Sequence, residues 1–348
     1  MLGPAEICRP TVKLNINNNV FTSYNAFMEF YLGTWQVAPS DGFWTGQDLA
    51  ESENVISTAV KNGICSFDTA QSYGKGQAEQ TLAKVLRRFL GVSCRPCTLD
   101  FLNSCALEFL NSCRIDTKIM PSSKSVEDVL RPSIERLKPF PIDCLYLHWP
   151  RSGFDNLGYV AEMLKLKEKG LVGKVGVCNL PLEMLQAFIK EGLQVDRIQI
   201  PISLLWTRDL DSTLQFCREN RISVSSYSPT GMGLLSGKYR KPEALHDARA
   251  NLFCFRGNCQ KPFLDLLGIL SEIAEKHSVS CSKIALSWVV SKNPDIIVIG
   301  ARTKTQLVEN LSGNVALSDS ELSDLNLAAQ KLDKASQEVC TNIFSYEW

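Results

Sequence analysis

The sequence predicts an α/β fold, a (β/α)8 TIM barrel. Three observations point there. From about residue 48 the chain alternates helical and strand patterns, and strand-length apolar runs recur between residues 64 and 300. Those runs read as near-continuously apolar, as expected of strands buried on both faces of a parallel sheet. No G-x-G-x-x-G turn follows a strand, which makes an open doubly wound sheet the weaker alternative. The nearest candidate, GMGLLSG at 231–237, follows a late strand and does not match.

The first strand is expected near FYLGTW, at 30–35. Residues 48–62 have helical apolar spacing and stop at Asn62-Gly63. ICSFD is a short strand ending at Asp68, residues 77–89 are helical, and RIDTKI (114–119) is a strand. Residues 125–138 read as a helix, although Pro132 in its interior costs about 3 kcal/mol or kinks it. Strands at 143–148, 174–179, 197–200, 222–228 and 295–300 then alternate with helical patterns at 157–170, 181–191, 209–220 and 262–292. A helix at 304–312 follows. The last helix starts at Ser318, and Glu321 completes a capping box. Seven strands thus follow residue 64, and the first makes eight, the number that closes a barrel.

Residues 90–113 break the rhythm. They hold four cysteines and a direct echo, FLNSC at 101–105 and again at 109–113. Cys94 and Cys97 have zinc-knuckle spacing, but structural zinc sites normally use two close ligand pairs. The segment therefore reads as an irregular insertion, and no metal is expected.

Composition excludes several functions. The chain has 348 residues, 45% of them hydrophobic, with 37 Lys plus Arg against 37 Asp plus Glu. A chain this long buries roughly 75% of its unfolded surface and needs no staples. Zero net charge without a basic block argues against nucleic-acid binding. No run of 18 apolar residues exists, so no membrane span is expected. The odd count of 13 scattered cysteines suits a reducing compartment. The cytoplasm is expected, with a plastid as the alternative.

In parallel α/β folds reactive groups sit at the carboxyl ends of strands. Those ends present Asp68 and the following Tyr73, then Lys118, His148, Asn179, Gln199 and Tyr227. The first four fit together chemically. A tyrosine hydroxyl is a poor proton donor at neutral pH, and a nearby ammonium lowers its pKa. An aspartate holds that lysine charged, and a histidine can hydrogen-bond a substrate carbonyl. Taken singly, Asp68 could cap a loop, and Tyr73 and His148 could simply pack. Lys118 is harder to dismiss, because lysine is almost never buried unpaired. Together they describe a barrel enzyme with a metal-free acid–base site.

At these residues the sequence resembles the aldo-keto reductase superfamily. The matching segments are FDTAQSYG (67–74), TKIMPS (117–122), DCLYLHWP (143–150), GKVGVCNL (173–180), YSPTGMGLLSGKY (227–239) and IVIGARTKTQLVENL (297–311). The wording is most similar to the potassium-channel β-subunit-like and plant plastid-type branches. The TNIFSYEW ending resembles plant pyridoxal reductases. The resemblance implies a barrel over residues 29–335, with a poorly defined segment at 1–28 and a tail at 336–348. It implies NADPH across the barrel mouth and hydride transfer to an aldehyde or ketone. Tyr73 would then be the general acid, Lys118 would lower its pKa, Asp68 would pair with Lys118, and His148 would orient the carbonyl. Gly33, Thr34 and Trp35 match the first cofactor-contacting turn. Asn179 and Gln199 would hold the nicotinamide carboxamide, and Tyr227 would stack on its ring. Ser228 and Lys238 match the pyrophosphate side. Gly300, Arg302 and Thr303 match the loop at the adenosine 2′-phosphate, and Gln306, Glu309 and Asn310 match the adenosine end. The guanidinium of Arg302 favours NADP over NAD.

Two departures stand out. Cys178 replaces the usual serine before Asn179, and a thiol is the weaker hydrogen-bond partner. The N-terminal hairpin that plugs such barrels has no counterpart in residues 1–28. The expected protein is thus an NADPH-dependent carbonyl reductase, monomeric or weakly homo-oligomeric, acting on a small-molecule carbonyl. The alternatives are a cofactor-binding regulatory subunit with little turnover and a damaged, weakly active family member. Trp44, Trp149 and Trp206 lie in loops after strands, where an apolar substrate pocket would form.

Overall fold

A computed structural model describes residues 28–39, 42–91, 99–340 and 342–344, with the backbone alone for 99–105. Eight parallel strands close into a barrel in chain order. They are β1 (Glu29–Gly33), β2 (Ser66–Asp68), β3 (Arg114–Ile119), β4 (Ile142–Leu147), β5 (Lys174–Cys178), β6 (Arg197–Pro201), β7 (Ser223–Tyr227) and β8 (Ile296–Gly300). Closure runs through β1, where Leu32 sits opposite both Phe67 and Ile299.

The helices among the described residues are α1 (Leu49–Lys61), α2 (Gln77–Gly91), α3 (Leu99–Ser112), α4 (Val126–Leu137), α5 (Asn156–Glu168) and α6 (Leu182–Lys190). They continue with α7 (Leu210–Glu219), α8 (Gln260–Lys276), α9 (Cys281–Ser291), α10 (Lys304–Leu311) and α11 (Asp319–Ser336). The long pattern at 262–292 is two helices, because the chain turns left-handed at Ser278 (φ 54°) between them. Pro132 stays inside α4. Ser125 caps that helix, and Leu130, Ser133 and Leu137 are buried, so packing overrides propensity. The expected capping box at Ser318 and Glu321 is present.

The segment expected to be irregular carries α3. Phe109 and Cys113, four residues apart, are both buried, and Phe109 packs against Phe89 of α2 at 5.8 Å. This i, i+4 pair gives the insertion a helical face to bury. Cys94 and Cys97 lie outside the described residues. Among the described residues no His, Cys, Asp or Glu cluster is suited to a metal.

The strands also depart from the near-continuously apolar reading. Leu32, Phe67, Ile115, Leu145, Val175 and Ile198 face outward and join the apolar core under the helices. The interior is partly polar, and its charged groups pair with one another. Arg197 Nη1 donates to both oxygens of Asp116, at 3.2 and 3.0 Å, and its Nη2 lies 3.1 Å from Asp143. Tyr146 Oη donates to Asp116 at 3.2 Å. Burial pushes the Asp116 carboxyl up to about 7, against the pull of the Arg197 guanidinium. Behind β3, Thr117 Oγ1 and Arg136 Nε each donate to the fully buried Glu79, both at 2.6 Å. Partners on both faces therefore fix the strand that carries Lys118.

Gly176 makes room for this layer. A Cβ there would meet the Tyr146 ring at 2.5 Å and the Arg197 carbonyl oxygen at 3.0 Å. Gly176→Ala should overpack the barrel and cost about 1–3 kcal/mol, read as a lower urea midpoint. An unchanged midpoint would contradict so tight an interior.

Candidate active site

The carboxyl ends of the strands open into a cleft of about 1040 Å³. Lys118 lies beneath its wall, 1% exposed. Its Nζ donates to Asp68 Oδ1 at 2.6 Å, to the Thr69 carbonyl at 2.8 Å and to Tyr73 Oη at 3.4 Å. The remaining Asp68 oxygen accepts from Gln199 Nε2 at 2.7 Å. Tyr73 opens the short 3-10 turn Tyr73–Gly76, whose left-handed Gly74 packs where a Cβ would strike Ala38 at 2.6 Å. This close approach holds the tyrosine ring over the lysine.

Two effects compete at Tyr73. Burial raises its pKa, Lys118 lowers it, and burial wins, leaving the hydroxyl at about 12. Lys118 thus acts in the expected direction, but in this cleft lost solvation outweighs the ammonium. Lys118 itself is pushed above its ordinary value, because Asp68 and Tyr73 outweigh its desolvation. It stays charged.

His148 stands at the end of β4, its ring edge-on to Tyr73 with centroids 5.6 Å apart. Its Nδ1 lies 3.2 Å from Ser72 Oγ. Asn179 follows β5 in a left-handed conformation (φ 58°), and Ser228 follows β7 in another (φ 51°). Asn179 Nδ2 donates to the His148 carbonyl at 3.1 Å, and its Oδ1 accepts from Tyr227 Oη at 2.7 Å. Non-glycine residues held this way cluster at functional sites.

The other expected residues divide as follows. Gly33, Trp35, Asn179, Gln199, Tyr227, Ser228, Lys238, Gly300, Arg302, Thr303, Gln306, Glu309 and Asn310 all line the cleft. Thr34 does not. It is fully buried, and its hydroxyl donates to the Asp68 carbonyl at 3.0 Å, so it braces β2. Cys178 is buried, with Sγ 3.9 Å from Gln199 Oε1. Arg302 Nε donates to Gln47 Oε1 at 2.8 Å, and its Nη2 to the Thr45 carbonyl at 3.0 Å. Thr303 caps α10, and Gln306 Oε1 accepts from the Arg302 backbone at 2.8 Å.

Near Tyr73 the walls are aromatic. Trp35 stacks beside Tyr73 at 6.1 Å, and Phe344 meets Trp35, Phe43 and Trp149 edge-on, each at 5.7 Å. Trp44 and Trp149 line the cleft, as their loops suggested. Trp206 does not: it packs between Arg208 and Phe253. Arg208 also donates to Ser336 Oγ and to the Cys340 carbonyl, which brings the C-terminal segment to the mouth. Phe43, Phe344, Ser280 and Ser282 went unnoticed in the sequence. A helix-start pattern marks Ser280, whose side chain caps α9, but no local signal marks Phe344.

The donor set suits a dinucleotide. Ser228, Lys238, Ser280, Ser282, Arg302 and Thr303 bring hydroxyls and two cations to the cleft. These are phosphate-binding groups. The Tyr73 side offers an aromatic slot instead.

The histidine gives this site a pH signature. Burial, with the nearby Lys118 ammonium, lowers the His148 pKa well below its usual value. Between that value and about 6.5 the unfolded chain binds more protons than the folded one. The His148 contribution to stability is therefore present above about pH 6.5 and lost as pH falls. His148→Gln should flatten the decline of the urea midpoint between about pH 6.5 and 5. An undiminished decline would assign it to other groups.

Comparison with known proteins agrees with this picture. Residues 29–329 match the model of the Aldo/keto reductase family. The chain is 27% identical to an NADH-specific methylglyoxal reductase of Escherichia coli, over 87% of this chain and 95% of that protein. It is also 27% identical to a chloroplastic pyridoxal reductase of Arabidopsis thaliana, over 87% of this chain and 82% of that one. Among solved structures, a glycerol dehydrogenase from Gluconobacter oxydans superposes with a TM-score of 0.68 at 23% identity, over 90% and 95% of the two chains. An aldo/keto reductase from Klebsiella pneumoniae, in complex with NADP and acetate, gives 0.62 at 20% identity, over 86% and 90%. Those two likenesses concern the barrel. Because the family match spans nearly the whole barrel, the chain belongs to the aldo/keto reductase family, oxidoreductases that act on carbonyl compounds.

Proposed function

We propose that the protein is an NADPH-dependent reductase that converts an aldehyde or ketone to an alcohol, with Tyr73 as the general acid. One observation carries this reading. Lys118 Nζ bridges Asp68 Oδ1 and Tyr73 Oη, at 2.6 and 3.4 Å, beside His148 at the end of the cleft. When bound, the reduced nicotinamide supplies the hydride. The chain's own groups handle the oxygen. A Ser72 hydroxyl donating to Nδ1 leaves the imidazole proton on Nε2, from which neutral His148 donates to the substrate oxygen. Tyr73 donates from the other side and passes its proton to that oxygen as negative charge develops. Charged Lys118 then stabilises the phenolate that remains.

Asn179 and Gln199 are assigned to the nicotinamide carboxamide and Tyr227 to its ring. Ser228 and Lys238 take the pyrophosphate, and Gly300, Thr303, Gln306, Glu309 and Asn310 form the adenosine end. Gly33 and Trp35 complete the near wall. Two of the five donors of Arg302 are spent on Gln47 and Thr45, and Nη1 remains for a 2′-phosphate. That supports NADPH over NADH, unlike the NADH-specific relative. The aromatic slot of Trp35, Phe43, Trp149 and Phe344 supports an apolar or aromatic carbonyl substrate. The thiols support a reducing compartment such as the cytoplasm.

Three experiments test the reading. Tyr73→Phe should bind NADPH normally and lose about 10²–10⁴-fold in kcat for aldehyde reduction. In the parent enzyme reduction needs the phenol, whose pKa is about 12 before ligands bind. Its rate should stay flat through neutral pH, and alcohol oxidation, which needs the phenolate, should climb as pH rises. Tight NADPH binding without turnover on any aldehyde, pyridoxal and methylglyoxal included, would return the protein to the regulatory alternative. Arg302→Ala should weaken NADPH by about 1.5–3 kcal/mol and leave NADH nearly unchanged. Equal losses for both would remove the case for NADP.

A further inference from the structure

The proposed reductase chemistry leaves two cysteines at the opposite end of the barrel without a role. β2 and β3 run side by side, with Ser66 opposite Arg114 and Phe67 opposite Ile115. The ladder continues one step further down, where the Arg114 N–H donates to the Cys65 carbonyl at 2.8 Å. Cys65 and Cys113 therefore hold equivalent positions just ahead of two neighbouring parallel strands. Neighbouring strands lie about 4.7–4.9 Å apart. That is within the ~4.4–6.8 Å between Cα atoms that a disulfide spans. Side chains alternate along a strand, so equivalent positions project to the same side.

The two thiols differ in access. Cys113 is 4% exposed, while Cys65 is partly open to solvent. Cys65 is hydrogen-bonded to Cys113 and to Ser112, and these contacts pull its thiol below its ordinary value against burial. Such contacts favour the thiolate, the form that reacts.

We propose that Cys65 and Cys113 form a dithiol site at the floor of the barrel that hydroperoxides oxidise, with Cys65 as the attacking thiol and Cys113 as the resolving one. In the first step the Cys65 thiolate attacks one peroxide oxygen. The O–O bond breaks, an S–O bond forms, and the departing oxygen takes up a proton and leaves as water or alcohol. Sulfur is oxidised by two electrons to a sulfenic acid, and the peroxide is reduced by two. In the second step the Cys113 sulfur attacks the sulfenic sulfur. An S–S bond forms, and the hydroxyl leaves with the Cys113 proton as water. Cys65 meets the oxidant because it is accessible, and Cys113 meets Cys65 because it is buried beside it. The bridge ties the end of the inserted 90–113 segment to β2. This site goes beyond the reductase reading and does not rest on it.

The test is a thiol map of the full chain after a small molar excess of hydrogen peroxide at neutral pH. Peptides are separated without reductant, with remaining thiols alkylated. The expected product is a Cys65–Cys113 linked pair, two hydrogens lighter than the separate peptides and released by dithiothreitol. The urea midpoint should rise on oxidation and fall back on reduction, because the cross-link restricts the unfolded chain. In Cys113→Ser, Cys65 should stop at a sulfenic acid that dimedone traps. In Cys65→Ser, Cys113 should remain a thiol at the same peroxide dose. Two results on the parent chain alone overturn the proposal: both thiols alkylated after other cysteines have oxidised, or Cys65 bridged to a different cysteine.

Discussion

A lysine ammonium with almost no exposed surface has to be paired, and that constraint organises the barrel interior. Removing an ion from water costs several kcal/mol even after the protein relaxes. Lys118 recovers this from Asp68, from the Thr69 carbonyl and from Tyr73 Oη. Asp68 spends its second oxygen on Gln199, whose amide also reaches Ser225 and Cys178. The pairing of one buried charge thereby links side chains of β2, β3, β5, β6 and β7. One layer below, Asp116 and Arg197 repeat the arrangement. The ion pair nearer the mouth has Tyr73 beside it, and that neighbour makes it chemically useful.

The balance at Tyr73 decides which half of acid–base chemistry the site favours. A buried phenol beside a cation feels two opposed effects, and here desolvation is the larger. The hydroxyl therefore keeps its proton through the neutral range, as the proposed role of proton donor to a developing alkoxide requires. Lys118 still matters, because it lies where the phenolate charge would appear once the proton has moved. Its contribution belongs to the charged state after proton transfer and need not show as a low resting pKa.

The barrel was legible in the sequence because its signals are local. Strand ends at Asp68, Lys118, His148 and Asn179 could be read from apolar runs a few residues long, and these residues carry the candidate chemistry. What escaped depends on contacts distant in the chain. Phe344 reaches the mouth because Arg208, far upstream, holds Ser336 and Cys340. Thr34 looked like a cofactor contact by position, yet its hydroxyl turns to Asp68. The polar barrel interior was masked by the apolar outward residues that alternate with it. The 90–113 segment looked irregular because its cysteines distracted from the spacing of Phe109 and Cys113. The tyrosine was found by its place after a strand and the pull of Lys118 by its neighbourhood, but the larger opposing effect of burial was not, since burial is a tertiary quantity.

The left-handed residues after β5 and β7 connect the two halves of the site. Holding a non-glycine residue there costs about 1–3 kcal/mol, although asparagine tolerates it better than most. Asn179 is kept in place from both sides, by the Tyr227 hydroxyl and by the His148 carbonyl. The side chain proposed for the nicotinamide carboxamide is thus bonded to the backbone of the residue proposed to orient the carbonyl. A shift of either would break the other's hydrogen bond. Misplacement of about 1 Å can cost on the order of a hundredfold in rate, so a hydride donor and a proton donor need one rigid frame. The Tyr227–Asn179–His148 chain supplies that frame from the carboxyl ends of β7, β5 and β4, and the backbone strain at Asn179 is the cost of putting its amide between them.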